Sequence, residues 1–310
     1  MQQESPALSS PPLNFQLTQI SSEPGQRDSR SVKKTPRLRE RQWTSQPQGA
    51  SRMRPVLSLS LCLLLCFALG LACVLLACLW SSRFRGGFQW DGTGLEFNWH
   101  PVLMTSGLVV MYGYASVVYR VPLTWGRSKL PWKLLHSGLM LLALLLSVVG
   151  LCAVFDVHNK NNIPNLYSLH SWVGLSAVLL FAVQWVAGFA GFLLPCSPVS
   201  FRKLLKPLHV WLGGSILSLS IAACVSGINE KLIFVLRQPH TQPYSKLPPE
   251  ALFANSLGVV IVAFGLVVLR ILTNKKWQRP DPQAQDAAYT VRKLNKNKIN
   301  ACQCLSSNYS

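Results

Sequence analysis

From residue 56 onward, long apolar segments alternate with short polar ones. Six of these segments have the ~20 predominantly apolar residues that a helix needs to cross a bilayer. They lie at 56–80, 100–119, 134–155, 169–194, 208–228 and 251–273. The pattern predicts an all-α membrane protein with six transmembrane helices, numbered 1 to 6 in chain order, and no internal repeat.

The composition agrees with a membrane protein, because only 13% of the residues are charged, whereas soluble proteins average about 25%. We expect a six-helix membrane domain at 55–275. Residues 1–54 are rich in Ser, Pro, Gln and Arg, which predicts a disordered basic segment. Residues 276–310 are expected to form a polar, basic cytosolic tail. The loop 81–99 is rich in Gly and aromatic residues, which indicates an ordered cap on the non-cytosolic face.

The basic residues are unevenly distributed between the polar segments. The formal net charge is +19, and 24 of the 30 Lys and Arg residues fall in every second segment, starting with the N-terminal one. These segments are 1–54, 120–133, 195–206 and 270–310. Since loops with excess Lys and Arg stay in the cytosol, we expect both termini to be cytosolic. The charge therefore indicates topology and contact with a lipid membrane, and we expect no nucleic-acid partner.

Four histidines stand near the starts of four consecutive apolar segments. They are His100, His136, His170 and His209. Consecutive membrane helices run in opposite directions, so His100 and His170 fall near one face, and His136 and His209 near the other. The two intervals are similar, at 70 and 73 residues. The sequence therefore predicts two histidine pairs, one near each membrane surface.

Polar side chains inside a membrane are costly and usually functional. Two neutral imidazoles that face each other suit the axial positions of a six-coordinate haem iron, which transfers electrons because it has no open site for oxygen. Helices 2–5 would then form a four-helix bundle that holds two b-type haems. Six glycines in these helices would admit a flat macrocycle or, equally, allow close helix packing. They are Gly107, Gly113, Gly138, Gly174, Gly213 and Gly214.

Two other classes of membrane protein compete with this interpretation. A metal transporter would also use imidazoles, but it needs ligands along a path, and no Asp or Glu lies within a predicted helix core. A structural or adaptor protein would give no reason for four matched histidines. Electron transfer through haem is therefore the favoured hypothesis, and a histidine-lined metal transporter is the alternative from a different class.

Seven motifs resemble those of a known family. They are FNWHPVLM, VYR, KLPWKLLH, NLYSLHSWVG, LLKPLHV, SGINEKL and WQRP. Spread over about residues 57–280, they resemble the ascorbate-dependent cytochrome b-561 family, and KLPWKLLH, LLKPLHV and LPPEALFAN resemble its lysosomal branch. The resemblance implies a six-helix fold with two haems b per chain. Gln278 stands where the family often has Lys, and the N-terminal segment is an extension.

The resemblance also assigns roles to individual residues. His100 and His170 would be the axial ligands of the non-cytosolic haem, and His136 and His209 those of the cytosolic haem. Arg120 would contact the cytosolic haem. The residues expected to line the non-cytosolic haem are Asn165, Leu166, Tyr167, Ser168 and Glu230.

The same resemblance assigns the two substrates to opposite faces. Lys129 and Arg202 would hold cytosolic ascorbate, with Lys133 nearby; by themselves, such basic residues are equally typical of a cytosolic loop. His158 would help to receive the electron acceptor, although a histidine in a polar loop is usually just solvated.

The implied activity is that of a transmembrane, ascorbate-dependent ferric-chelate reductase. Single electrons would pass from cytosolic ascorbate through two haems b to ferric iron on the lumenal, non-cytosolic side. Reduction of lumenal monodehydroascorbate, which regenerates ascorbate, is the alternative activity. The resemblance implies a late-endosomal or lysosomal membrane, and we also expect a homodimer.

Overall fold

The computed structural model describes residues 48–125, 128–238 and 241–279. Six helices in this part of the chain are long and apolar enough to cross a membrane, which confirms the predicted helix number and fold class. They are α1 (Gln48–Phe84), α2 (Gly94–Arg120), α3 (Leu130–Lys160), α4 (Leu169–Phe192), α5 (Val199–Val235) and α6 (Pro249–Thr273). The described residues contain no β-strand.

Helices α2 to α5 form the centre of the bundle. Helix α4 packs along α5, and α2 packs along α3. Helices α1 and α6 pack on each other and cover α2, and α6 also contacts α5. Tyr112, Phe181 and Phe264 are buried between the helices, whereas Leu64 and Val183 are exposed on the outside, as lipid contact requires.

Several helices are longer than the apolar segments that predicted them. Helix α5 has 37 residues, or about 55 Å at 1.5 Å per residue, because helical hydrogen bonding continues past the residues that contact lipid. His136 and His209 therefore lie inside α3 and α5 and not at their first residues. Residues 48–54, expected to be disordered, are also helical, since an established helix extends by one hydrogen bond per residue.

The membrane domain also extends past its expected end at residue 275. The short 3₁₀ helix Lys275–Trp277 follows α6, and Trp277 is buried with Arg270 beside its ring. Residues 1–47 and 280–310 lie outside the described residues. The disordered N-terminal segment and the polar, basic cytosolic tail therefore stay predictions over these two ranges.

An ordered cap lies between α1 and α2, as the Gly and aromatic residues of this loop predicted. Asn98 donates from Nδ2 to the carbonyl oxygens of Arg85 and Gly87, at 3.0 and 2.7 Å. The Thr93 hydroxyl caps the first turn of α2 by accepting from the Leu95 amide. Because these bonds fix the chain on both sides of the turn, the cap sets where α2 begins.

We predict that Asn98→Ala destabilises the protein by about 1–3 kcal/mol, because it leaves two carbonyl groups without their donor. Thermal unfolding of the purified protein should show a lower Tm, and hydrogen exchange should rise at residues 85–99. Ser82→Ala is the matched control, since Ser82 is exposed and donates only within its own helix. An unchanged Tm together with unchanged exchange in Asn98→Ala would contradict the role given to Asn98.

Candidate functional site

The structure brings the four bundle histidines together in two pairs. The ring centroids of His100 and His170 lie 6.1 Å apart, and the rings are nearly perpendicular, at 87°. The centroids of His136 and His209 lie 6.4 Å apart, at 69°. The two pairs occupy opposite ends of the bundle, because neighbouring helices are antiparallel. This is the pairing that the parity of the helices predicts.

Three of the four rings are held by main-chain carbonyl groups of a neighbouring helix. His100 Nδ1 lies 3.0 Å from the carbonyl oxygen of Gly150. His136 and His170 make the same bond, at 2.8 Å, to Ala115 and Ala223. Since a carbonyl oxygen accepts, each Nδ1 must carry the proton and each Nε2 is left as a free lone-pair donor. The bonds therefore prepare these rings to bind a metal through Nε2.

A regular interval links each histidine to the carbonyl that its own helix provides. It is 14 residues from His136 to Gly150 in α3 and 14 from His209 to Ala223 in α5, but 15 from His100 to Ala115 in α2. Helix α2 contains a π-helical segment at Thr105–Met111. A π turn contains about one residue more than an α-helical turn. It therefore accommodates the one additional residue between His100 and Ala115 and keeps both ends of α2 in register with α3.

Two glycines let the histidines of α4 and α5 pack against the opposite helix. A Cβ built on Gly227 of α5 would lie 2.6 Å from Cε1 of His170. A Cβ on Gly188 of α4 would lie 2.8 Å from Cε1 of His209. In each helix the glycine follows the histidine by 18 residues, which is about five turns and returns to the same helix face. Only glycine fits these two positions.

Two of the six glycines singled out from the sequence have a different role. A Cβ on Gly107 would lie 2.7 Å from the Ala143 carbonyl oxygen, and one on Gly113 would lie 2.6 Å from the Phe264 ring. These two glycines therefore permit close helix packing, which was one of the two interpretations open from the sequence.

The spacing of the paired rings fits a haem iron between them. Metal–imidazole bonds are about 2 Å long and a ring centroid lies roughly 1 Å behind its nitrogen, so two imidazoles on opposite sides of one metal have centroids about 6 Å apart. The described residues include no group of three or more His, Cys, Asp or Glu side chains that could hold a bare ion. A pair of imidazoles suits a metal that brings its own equatorial ligands, as haem does.

A cavity of about 540 Å³ adjoins the His100–His170 pair. All the residues assigned to this face from the sequence line it. They are His158, Asn165, Leu166, Tyr167, Ser168 and Glu230. We call this space the non-cytosolic cavity, after the face to which the sequence assigns these residues. Arg85 and Lys231 also line it, so two cations stand on its wall.

The loop between α3 and α4 shapes the outer wall of the cavity. Leu166 adopts a left-handed conformation, with φ of 56°, and its carbonyl oxygen accepts from the Trp172 indole at 2.8 Å. Ser168 caps α4 in a reciprocal capping box with Ser171. Desolvation, and then the charge of Glu230, raise the pKa of Tyr167, which keeps its phenol protonated at neutral pH.

On the other end of the bundle, the assigned basic residues lie around the C-terminus of α4. Lys133 Nζ donates to the Phe192 carbonyl oxygen at 3.0 Å, and Arg202 Nη2 donates to that of Leu194 at 2.9 Å. Lys129 is exposed just before α3. We call Lys129, Lys133 and Arg202 the basic cluster.

Arg120 lies apart from the basic cluster and joins the ends of α2 and α6. Its guanidinium donates to the carbonyl oxygens of Leu272 and Asn274, at 2.5 and 3.1 Å. Arg120 therefore has a structural role at the end of the bundle that holds the His136–His209 pair.

Several buried donors near the basic cluster have no hydrogen-bond partner among the described residues. They are Trp125 Nε1, Trp132 Nε1, Ser197 Oγ and Arg202 Nε. His209 Nδ1, which donates only when it carries the proton, is also without a partner among these residues. Unpaired buried donors cost free energy unless an acceptor reaches them. Their concentration at this end indicates a place for a ligand rich in acceptor oxygens.

Aromatic rings beside the histidines were missed in the sequence. Phe97 lies 5.9 Å from His100, Tyr119 lies 5.5 Å from His136, and Phe192 lies 5.2 Å from His209, between ring centroids. Phe97 precedes an apolar segment, and Tyr119 and Phe192 lie near the ends of two others. Aromatic residues are ordinary at such positions, so the sequence gives no signal for them. The 18-residue interval between histidine and glycine is a signal that a search at helical spacing would find.

Comparison with known proteins agrees with this geometry. The sequence profile described as eukaryotic cytochrome b561 matches residues 99–235, which include all four paired histidines. The lysosomal membrane ascorbate-dependent ferrireductase CYB561A3 of Danio rerio is 59% identical over 239 residues, covering 76% of this chain and 97% of that protein. Its Homo sapiens counterpart is 58% identical over 221 residues, covering 71% and 90%.

A relative from another membrane is also similar. The plasma membrane ascorbate-dependent reductase CYBRD1 of Xenopus laevis is 49% identical over 218 residues, covering 70% of this chain and 76% of that protein. With nearly the full length of the first relative aligned, the chain belongs to the cytochrome b561 family.

Proposed function

We propose that this protein carries single electrons from cytosolic ascorbate across a lysosomal membrane to ferric iron, and so acts as a ferric reductase. The observation that carries the proposal is the presence of two facing histidine pairs, at 6.1 and 6.4 Å, at opposite ends of one bundle. The names of the relatives support the donor, the acceptor and the lysosomal membrane.

The family implies haem b as the cofactor, and we propose two haems per chain. His100 and His170 would hold the non-cytosolic haem, and His136 and His209 the cytosolic one. When bound, each haem would supply an iron that changes oxidation state by one electron. The protein sets ring orientation through the Nδ1 bonds and excludes water with its apolar core.

The basic cluster would bind ascorbate, which is a monoanion at neutral pH. Lys129 and Arg202 offer charge-assisted hydrogen bonds, which are about twice as strong as neutral ones. The unpaired indole donors of Trp125 and Trp132 support the same conclusion. On giving up one electron, ascorbate also loses a proton and leaves as monodehydroascorbate, so the donor face needs access to water.

The non-cytosolic cavity would serve the acceptor. Asn165, Leu166, Tyr167, Ser168 and Glu230 would surround the haem edge, and His158 would help to receive ferric iron. A ferric chelate that gains one electron becomes ferrous, and no bond in the protein is made or broken.

The sidedness of the two substrates follows from the uneven charge. Because 24 of the 30 basic residues fall in one set of polar segments, we propose that this set, with both termini, is cytosolic. Arg120 would contact the cytosolic haem from the end of α2. A homodimer stays a prediction.

We predict that His100→Ala and His170→Ala lose the same haem, and that His136→Ala and His209→Ala lose the other. Each variant should keep about half of the haem per chain, because one imidazole does not hold a six-coordinate iron. Visible spectra and haem content of the purified variants measure this. Loss of different haems in His100→Ala and His170→Ala would contradict the pairing.

We predict that Gly227→Ala disturbs the same haem as His170→Ala, and Gly188→Ala the same haem as His209→Ala. The added methyl group would overpack the imidazole at a cost of about 1–3 kcal/mol. Low-temperature spectra that separate the two haems are the measurement. Gly258→Ala is the matched control, because a Cβ there meets nothing within 4 Å. If all three variants have unchanged haem spectra, the glycines do not position the rings.

We predict that replacing Lys129 and Arg202 together by Gln raises the ascorbate concentration for half-maximal haem reduction at least about tenfold, a change of about 1.4 kcal/mol. Both haems should stay bound. The matched control changes Lys203 and Lys206 to Gln, which removes the same charge from exposed positions nearby. Stopped-flow reduction measures the difference. Equal effects in both double variants would mean that the basic cluster only determines topology.

A further inference from the structure

The Phe97 ring lies between three functional groups of the non-cytosolic cavity. Its centroid is 5.9 Å from that of His100, at an angle of 49°. On another side it is 6.4 Å from the His158 ring, which is nearly parallel to it, at 18°. The Lys231 ammonium lies 3.7 Å from the Phe97 centroid. Phe97 is therefore the aromatic group that connects the axial histidine to the histidine of the acceptor face.

The ordered cap holds Phe97 in this position. Phe97 is the last residue of the short helical segment Gly94–Phe97, which Thr93 caps. The fully buried Glu96 accepts a hydrogen bond from the Gly92 amide. Asn161 of the loop after α3 donates to the Gly92 carbonyl oxygen at 3.0 Å. The cap is thus tied to the loop that carries the acceptor face, and Phe97 cannot move independently of either.

Lys231 fixes the ring from the opposite helix. A cation over an aromatic face is attracted by the ring quadrupole, most strongly when the pair is desolvated. Lys231 comes from α5 and is only partly exposed, while Phe97 lies in the first turn of α2. The contact therefore holds Phe97 between α2 and α5. Helix α2 provides His100, and α5 packs along the helix that provides His170.

We propose that Phe97 is a positioning residue for the outward electron step, and that Lys231 keeps its ring in place. The inference rests on the proposed function. Electrons tunnel faster through packed atoms than across a water-filled gap, and the Phe97 ring fills the space between His100 and His158. One electron would leave the reduced non-cytosolic haem through this contact, so that the haem is oxidised by one electron as the ferric chelate becomes ferrous, and no proton or bond of the protein changes.

The test uses pre-reduced full-length protein mixed with a ferric chelate, and it follows haem reoxidation by stopped-flow absorbance. We expect Phe97→Leu to slow reoxidation roughly 10-fold to 100-fold, the scale at which misplacement by about 1 Å slows a reaction. Haem content, potential and reduction by ascorbate should match the wild type. Phe97→Tyr should restore the rate because it restores the ring. Lys231→Met should slow reoxidation less than Phe97→Leu does.

The matched control is Phe88→Leu. Phe88 belongs to the same cap, but its ring packs on Trp99 at 4.7 Å. This variant should reoxidise at the wild-type rate.

Three outcomes would overturn the proposal. One is an unchanged reoxidation rate in Phe97→Leu. Another is an equal slowing in Phe88→Leu, which would make the effect a general loss of the cap. The third is a shifted haem potential or lost haem in Phe97→Leu, which would make Phe97 a haem-binding residue. These outcomes can be told apart from a failure of the proposed function. If the proposed function were wrong, the wild-type protein itself would not reduce the ferric chelate.

Discussion

Hydrogen bonds from imidazole Nδ1 to main-chain carbonyl groups hold the centre of this protein together. They join α2 to α3 in both directions, at His100 and His136, and join α4 to α5 at His170. The rings have to approach the backbone of another helix to make them. This requirement explains Gly227 beside His170, and it explains the π turn of α2, which keeps the two ends of that helix in register. Gly188 makes room for the His209 ring, whose Nδ1 has no partner among the described residues.

The two ends of the bundle carry different groups, which suit the different roles proposed for them. At the end with the basic cluster, cations and unpaired indole donors would serve the proposed anionic donor, which has to enter, lose an electron and leave. At the other end, a rigid cap provides an aromatic contact to a cavity. The described interior between them is mostly apolar, and the buried hydroxyls of Ser147 and Ser220 donate to carbonyl groups of their own helices. Electron transfer needs no moving part and no path for an ion, so this division of roles is sufficient.

Much of this arrangement was predictable from the sequence. Apolar length gives the number of helices, and the alternating direction of consecutive helices pairs His100 with His170. The helix ends were not predictable, because hydropathy marks lipid contact and α5 continues beyond it. Phe97 was missed because its role depends on the cap, which brings it against His158 and Lys231. A contact among residues so far apart in the chain leaves no local pattern.

The central claim is directional electron transfer, and sealed vesicles test it most directly. Purified full-length protein is inserted with its cytosolic face outward, a ferric chelate is enclosed, and ascorbate is added outside. The account predicts that the haem bands are reduced first and that ferrous chelate then forms inside. Ferrous chelate that forms only when ascorbate is enclosed with the ferric chelate, or haem bands that ascorbate does not change, would contradict it.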